Sequence, residues 1–123
     1  MTKVLVIDDE EPIRLLFKEE LTDEGYEVVT AENGYRLVER INEERPDLVI
    51  LDIKLVEYNG LDLLQEIRNT YYNLPVILCS AYEVFKRDIK AIAADAYVVK
   101  SSDLTILKKA IRRVLEGGRS ESG

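Results

Sequence analysis

Five short apolar runs alternate along the chain with five longer stretches of helical period. The runs are Val4–Ile7, Tyr26–Ala31, Leu48–Leu51, Val76–Cys79 and Ala96–Val99. Four are nearly unbroken in apolar residues, the pattern of strands covered on both faces of a parallel sheet. The second carries Glu27 and Thr30 and suits a sheet edge. Between the runs, apolar residues recur three and four apart. The first predicted helix has Ile13, Leu16, Phe17 and Leu21, and the second Leu37, Val38 and Ile41. The third has Leu61, Leu64 and Ile67, the fourth Val84, Phe85, Ile89 and Ile92, and the fifth Leu104, Leu107, Ile111, Val114 and Leu115. Punctuation agrees with this division. Pro12 lies near the start of the first helix and Gly25 just past its end, Asn33 opens the second and Pro46 follows it, and Ser102 or Asp103 caps the fifth. Repeated strand–helix units imply right-handed βαβ crossovers with helices on both faces of one parallel sheet.

A chain of 123 residues is the size of one domain and buries enough surface to need no disulfide or metal staple. Residues 1–116 are read as that domain and 117–123, which are free of apolar side chains, as a flexible tail. The balance of 17 Lys and Arg against 24 Asp and Glu gives a net charge of −7, which argues against direct nucleic-acid binding. The absence of histidine removes Ser-His-Asp and Cys-His catalysis and His-ligated zinc. The single cysteine, Cys79, follows Val76, Ile77 and Leu78 and is read as a packing residue. No apolar run approaches the roughly 18 residues that span a bilayer. Met1 leads directly into Lys3 and Val4 without a secretory signal pattern, so the expected location is cytoplasmic.

Polar residues fall at informative places. The first strand ends in Asp8-Asp9-Glu10, the third in Asp52, the fourth in Ser80-Ala81 and the fifth in Lys100. In an open α/β sheet, ligands bind beyond the carboxyl ends of the strands, where the strand order reverses. With order 2-1-3-4-5, that crevice lies between strands one and three and gathers Asp8, Asp9 and Asp52. Three carboxylates in one cleft repel one another unless a cation sits among them, and such oxygen ligands suit Mg²⁺. Lys100 can hold a phosphoryl oxygen or pair with a carboxylate, and Ser80 adds a hydroxyl donor. The set reads as a phosphoryl-transfer site with an aspartate nucleophile. Taken singly, each piece has a plainer explanation: acids at a helix N-terminus, an Asp in a turn, a solvated Lys.

These residues make the chain resemble a response-regulator receiver domain of two-component signalling across residues 3–116. The resemblance rests on Val4-Leu5-Val6-Ile7-Asp8-Asp9-Glu10, Pro46-Asp47-Leu48-Val49-Ile50-Leu51-Asp52, Asn59-Gly60-Leu61 and Ala96-Tyr97-Val98-Val99-Lys100. It implies a flavodoxin-like (βα)5 doubly wound α/β fold. It also implies that Asp52 accepts a phosphoryl group from a sensor histidine kinase or phosphotransfer protein. Asp8, Asp9, Asp52 and the backbone carbonyl of Lys54 would hold Mg²⁺. Ser80, Lys100 and the Ala81 backbone would grip the phosphoryl oxygens, and Tyr97 would be the switch aromatic. Lys54 and Tyr82 flank the path of attacking water and would shield the acyl phosphate. On this reading the chain is not an enzyme in the ordinary sense, since it catalyses only its own phosphorylation and dephosphorylation.

Output would pass through the face of the fourth helix, fifth strand and fifth helix to a downstream protein or a second receiver. The cations Lys86, Arg87, Lys90, Lys108, Lys109, Arg112 and Arg113 suggest an acidic partner there. The first helix, with Leu15 off its apolar stripe, and the loop after Lys100 would meet the kinase. Four positions depart from the family pattern. Val56 and Ser101 stand where proline is usual (the second after an often cis bond), Ala94 where glycine is frequent, and Ser80 where Thr is commoner. None removes a functional group; they bear on loop geometry and partner choice. A Mg²⁺-dependent phosphatase is the main rival, but its nucleophile would follow the first strand and it would need a cap domain. A phosphorylation-independent interaction module would lack the acceptor or the lysine, and both are present.

Overall fold

Leu48-Val49-Ile50-Leu51, an unbroken apolar run, has all four residues buried and forms the central strand of the sheet. A computed structural model describes residues 1–82 and 87–117, and for Ile89 the backbone alone. Its elements are β1 (Lys3–Ile7), α1 (Glu11–Asp23), β2 (Glu27–Ala31), α2 (Leu37–Glu44), β3 (Leu48–Leu51), β4 (Lys54–Leu55), β5 (Tyr58–Asn59), α3 (Gly60–Thr70), β6 (Val76–Ser80), a 3-10 turn (Ile89–Ala93), β7 (Ala96–Val99) and α4 (Thr105–Leu115). The main sheet runs β2-β1-β3-β6-β7, all parallel, which is the expected order for five strands with the crevice between the first and third. The fold is flavodoxin-like.

Alternation along the strands divides the core into two layers. Leu5, Ile7, Val49, Leu51 and Leu78 pack with α2 and α3 through Leu37, Ile41, Leu61, Leu64 and Ile67. Val4, Val6, Leu48, Ile50, Ile77, Cys79 and Val98 pack with α1 and α4 through Phe17, Leu21, Leu107, Ile111 and Val114. Each fully buried Leu or Ile contributes about 1.5–3 kcal/mol of transfer free energy, so a one-residue slip of any central strand would turn its apolar set around at once. That requirement fixes the register. Ile7 lies beside both Ala31 and Leu51, and the ladder continues one bond further, from the Asp8 N–H to the Ala31 carbonyl (3.1 Å) and from the Asp52 N–H to the Ile7 carbonyl (3.0 Å). Two acidic residues distant in sequence therefore leave the sheet side by side.

Local chemistry sets the ends of the elements. Pro12 occupies the first turn of α1, where its missing N–H costs nothing. Gly25 follows that helix at φ +100°. The second helix starts later than Asn33. The Asn33 side chain accepts the Tyr35 N–H, a turn that competes with helix, and Arg36 sits at φ +52° before α2 begins. At α4, Asp103 rather than Ser102 supplies the acceptor, taking both the N–H and the hydroxyl of Thr105 (3.0 and 2.6 Å).

Other expectations need correction. The fourth predicted helix is, over its described part, only the 3-10 turn Ile89–Ala93; Val84, Phe85 and Lys86 lie outside the described residues, as do residues 118–123. Ile92 is 77% exposed, and Ala91 faces the core in its place. A buried clamp holds this stretch. Arg68 on α3 donates to the carbonyls of Ala93 (2.8 Å) and Leu74 (2.6 Å) and to the Asp95 carboxylate (2.9 Å), which also accepts the Val76 N–H. The β4–β5 hairpin was not anticipated, because strands of two residues carry no periodicity. Ala94 is extended at φ −81°, so glycine is not required there. The Lys100–Ser101 peptide is trans.

Candidate functional site

Where β1 and β3 end, Asp8, Asp9 and Asp52 converge. One oxygen of each lies within 4.8 Å of the others. Asp8 and Asp52 are 2% and 5% exposed, so both carboxylates have lost most of their water. Lys100, entering from the end of β7, compensates them: its Nζ is 2.7 Å from Asp8 Oδ2, 3.0 Å from Asp52 Oδ2 and 3.7 Å from a Glu10 oxygen. The Lys100 N–H is itself held by the Ser80 carbonyl at 2.7 Å, which aims the side chain across the strand ends. Three carboxylates facing one ammonium leave an excess of negative charge. The donor set, all hard oxygens in a small radius, fits a divalent cation such as Mg²⁺.

Electrostatics point the same way. Burial pushes the Asp52 carboxyl above the ordinary carboxylate range and Asp8 adds to it, outweighing the opposing pull of the Lys100 ammonium and the Lys54 amide. For Lys100, burial disfavours the charge, but the bonds to Asp8 and Asp52 outweigh it and hold the ammonium above the usual lysine value. Cys79 lies beneath, 2% exposed, and burial drives its thiol up to about 12, so it is a packing residue and not a reactive one.

Above the carboxylates a cleft of about 220 Å³ is lined by Asp9, Glu10, Asp52, Lys54, Ala81, Tyr82 and Lys100. Asp8 and Ser80 are not among its walls. Ser80 is fully buried and its hydroxyl oxygen accepts the Tyr82 N–H at 3.1 Å. Ala81 is exposed at the rim. The Lys54 ammonium sits 5.6 Å from the centre of the Tyr82 ring, so the two side chains meet over the cleft they line. Lys54 belongs to β4, and its backbone amide bonds the Asp52 carboxylate. Tyr97 on β7 is half-buried and its hydroxyl donates to the Tyr82 carbonyl, which ties the segment after β6 to the edge strand.

Glu10, read at the end of the first strand but given no role there, reaches Lys100 and lines the cleft. Three contributors escape a reading of the sequence by strand ends alone. Arg14, one turn into α1, donates to the Asp8 carbonyl at 2.7 Å and fixes the acidic loop. The Val56 N–H donates to Asp9 Oδ2 at 3.2 Å. Gly60 approaches the Asp52 carbonyl so closely that a Cβ would lie 2.1 Å from that oxygen. Asn59, which caps α3 by accepting the Leu61 N–H, and Gly60 form a helix start that backs directly onto the Asp52 backbone. The Asn-Gly pair was the visible signal for that contact.

The basic surface is smaller than the charge count suggests. Lys108 pairs with Glu20 (2.7 Å) and Glu24 (3.6 Å), Arg112 with Glu24 (3.4 Å), and Lys90 with Asp62 (3.0 Å). The cations at Lys108 and Arg112 thus join α4 to α1, and Lys86 lies outside the described residues. Leu15 is 61% exposed on α1, off the core face, as its spacing implied.

Residues 4–112 match the family model described as the response regulator receiver domain. Among curated proteins, the chain is 31% identical to Sporulation initiation phosphotransferase F of Bacillus subtilis over 92% of this chain and 93% of the relative. It is 36% identical to Chemotaxis protein CheY of Thermotoga maritima over 91% and 96%. Among solved structures, the response regulator protein TrrA of Thermotoga maritima in complex with Mg(2+)-BeF superposes with a TM-score of 0.89 at 43% identity, covering 93% of this chain and 99% of that one. The same regulator in complex with the histidine kinase ThkA superposes at 0.87, also at 43% identity, covering 94% and 99%. Among the described residues no helix is long and apolar enough to cross a membrane. The strand order, the acidic triad under a lysine and these likenesses converge, and the chain belongs to the response-regulator receiver domains of two-component systems.

Proposed function

We propose that the chain is a phosphorylation switch in which Asp52 takes a phosphoryl group from a phosphohistidine of a sensor histidine kinase or phosphotransfer protein. The observation that carries this reading is the Asp52 carboxylate, buried at the floor of the cleft, bonded to Lys100 and clustered with Asp8 and Asp9. A carboxylate oxygen of Asp52 attacks phosphorus as the P–N bond breaks, and the bonding pair leaves with the imidazole nitrogen. Burial raises the affinity of Asp52 for protons, and the Lys100 ammonium and the Lys54 amide oppose that shift and favour the carboxylate that attacks. Asp8, Asp9, Asp52 and the Lys54 carbonyl would hold Mg²⁺, which when bound supplies positive charge to the transferring oxygens. Lys100 and the Ala81 amide neutralise a phosphoryl oxygen from the other side of the cleft.

Ser80 is the link to the rest of the molecule. Its hydroxyl oxygen accepts the Tyr82 N–H, which leaves its hydrogen for a phosphoryl oxygen. Movement of Ser80 toward the phosphoryl group displaces Tyr82 and with it the carbonyl that Tyr97 holds. The change thereby reaches the face of β7, α4 and the turn before β7, where a downstream protein or second receiver would read it. The kinase would meet α1, with exposed Leu15, and the loop after Lys100. Residues 1–116 are taken as the receiver, a span that contains the matched residues 4–112.

The test is acetyl phosphate with Mg²⁺ followed by intact-mass measurement. One added phosphoryl group on the wild type, absent from Asp52→Asn and abolished by chelator, is the expected result. Equal phosphorylation of Asp52→Asn would overturn the assignment.

A further inference from the structure

We propose that the outer face of α2 is a self-association surface, on which a second copy of this chain docks antiparallel so that Arg36 and Arg40 of each copy meet Glu43 and Glu39 of the other. The surface lies at the β2 edge of the sheet, with β1 between it and the strand that carries Asp52, and it does not depend on the phosphorylation reading.

The surface follows from how α2 is built. Leu37 and Ile41 turn one side of this eight-residue helix into the core. Arg36, Glu39, Arg40, Glu43 and Glu44 recur three and four apart and so share a stripe along another side. That stripe borders a groove of about 230 Å³ whose other walls are Tyr35 and the strand residues Leu5 and Val29. Because β2 is an edge strand and α2 is short, the groove is left open: Val29 is only half-buried and Tyr35 is 58% exposed. An apolar floor and an aromatic ring therefore lie beside a row of charges.

The order of those charges fits a copy of themselves. Arg36, Glu39, Arg40 and Glu43 alternate plus, minus, plus, minus. A two-fold axis across the helix reverses the second stripe, which sets Arg36 against Glu43 and Arg40 against Glu39, each twice. A parallel stripe in register would oppose like charges. The side chains are available for this pairing. Within the stripe, the ion pair among the described residues is Arg36 with Glu39, a 3.8 Å contact between exposed groups. Arg40 gives its Nε to the Tyr35 carbonyl at 3.2 Å and, like Glu43, makes no ion pair among the described residues. Lys3 takes up Glu44 at 3.4 Å and keeps it out of the pattern. Exposed ion pairs add little affinity but penalise a mismatched partner, so the charges select the orientation. Affinity comes from Tyr35 and the apolar floor.

Sedimentation velocity of the intact unphosphorylated chain, from about 10 µM to about 1 mM, tests this, and the wild type should shift from monomer toward dimer across that range. Arg36→Glu with Arg40→Glu makes the stripe wholly acidic, and Glu39→Arg with Glu43→Arg makes it wholly basic. Each double variant alone should self-associate about tenfold more weakly or worse, and an equimolar mixture of the two should regain dimer at wild-type strength or better. Thermal melts establish that both variants are folded, and recovery in the mixture excludes misfolding as the cause of the loss. Nuclear magnetic resonance of the wild type decides without any variant: amide shifts on dilution should fall on residues 28–30 and 35–44. A wild type that stays monomeric at the top of the range overturns the proposal and leaves the groove to a partner other than a second copy. Dimers that survive in both double variants, a mixture of folded variants no tighter than its components, or dilution shifts confined to α4 and β7 overturn it as well.

Discussion

Asp52 works against its own stability. Burial favours its protonated form in the fold, so its folded pKa stands above the unfolded value. Stabilisation from such a group is complete below the unfolded pKa and is lost as pH rises through the folded one. Wherever Asp52 is ionised, the protein carries a carboxylate that burial penalises. Asp52→Asn should raise stability near pH 7 by roughly 1 kcal/mol, a Tm gain of about 3–6 °C for a chain of this size. The gain should shrink as pH falls toward 4, and saturating Mg²⁺ should offset it by stabilising the wild type preferentially; urea or thermal melts at both pH values check the sign. Lys54 and Tyr82 meet over the same carboxylate. Removing both side chains, in Lys54→Ala with Tyr82→Ala, should speed loss of the phosphoryl group severalfold in Mg²⁺. Decay at the wild-type rate would show that this pair does not shield the site.

Among the elements, the short ones do the positioning, and they are the ones periodicity could not reveal. Unbroken apolar runs placed β1, β3, β6 and β7 to within a residue; β1, β3 and β6 bury nearly continuous apolar sets, whereas β7 buries Val98 and leaves Val99 exposed. The β4–β5 hairpin holds Lys54 and Val56 against the acidic triad, yet its strands of two residues carry no signal beyond an Asn-Gly pair. The fourth helix differs from expectation over its described part: Ile89 and Ile92 are three apart, but Ile92 turns to solvent in a 3-10 turn held by Arg68. Partners 27 residues apart, such as Arg68 and Asp95, leave no mark in a local pattern. Gly60 makes the sharpest prediction at this scale. A methyl group there would collide with the Asp52 carbonyl and the Ile53 Cα, which are main-chain atoms with little room to move. Gly60→Ala should cost about 3 kcal/mol and slow phosphorylation as well, whereas Gly25→Asn, strained at φ +100° but with nothing within 4 Å of its Cβ, should cost less and leave phosphorylation unchanged. Equal costs in denaturant melts would remove the argument that α3 backs onto the site.

For the whole molecule, the parallel sheet is what turns scattered acids into one site. Two packed layers lock the register of five strands, and the register brings the ends of β1, β3, β6 and β7 together. Asp8, Asp52, Ser80 and Lys100 were legible in the sequence because each directly follows or closes an apolar run. The contributions of Arg14 and the Val56 amide depend on how loops fold over those ends, and no run announces them. The same tertiary arrangement ties α4 to α1 through Lys108, Arg112, Glu20 and Glu24, so the basic count of the last helix overstates its free charge. The central claim is that this convergence makes Asp52 the nucleophile. Borohydride reduction after phosphorylation with acetyl phosphate and Mg²⁺ converts an aspartyl phosphate to homoserine, which peptide sequencing by mass spectrometry locates. Homoserine at position 52 alone is the predicted result; homoserine at position 8 or 9, or at none of the three, would contradict the account.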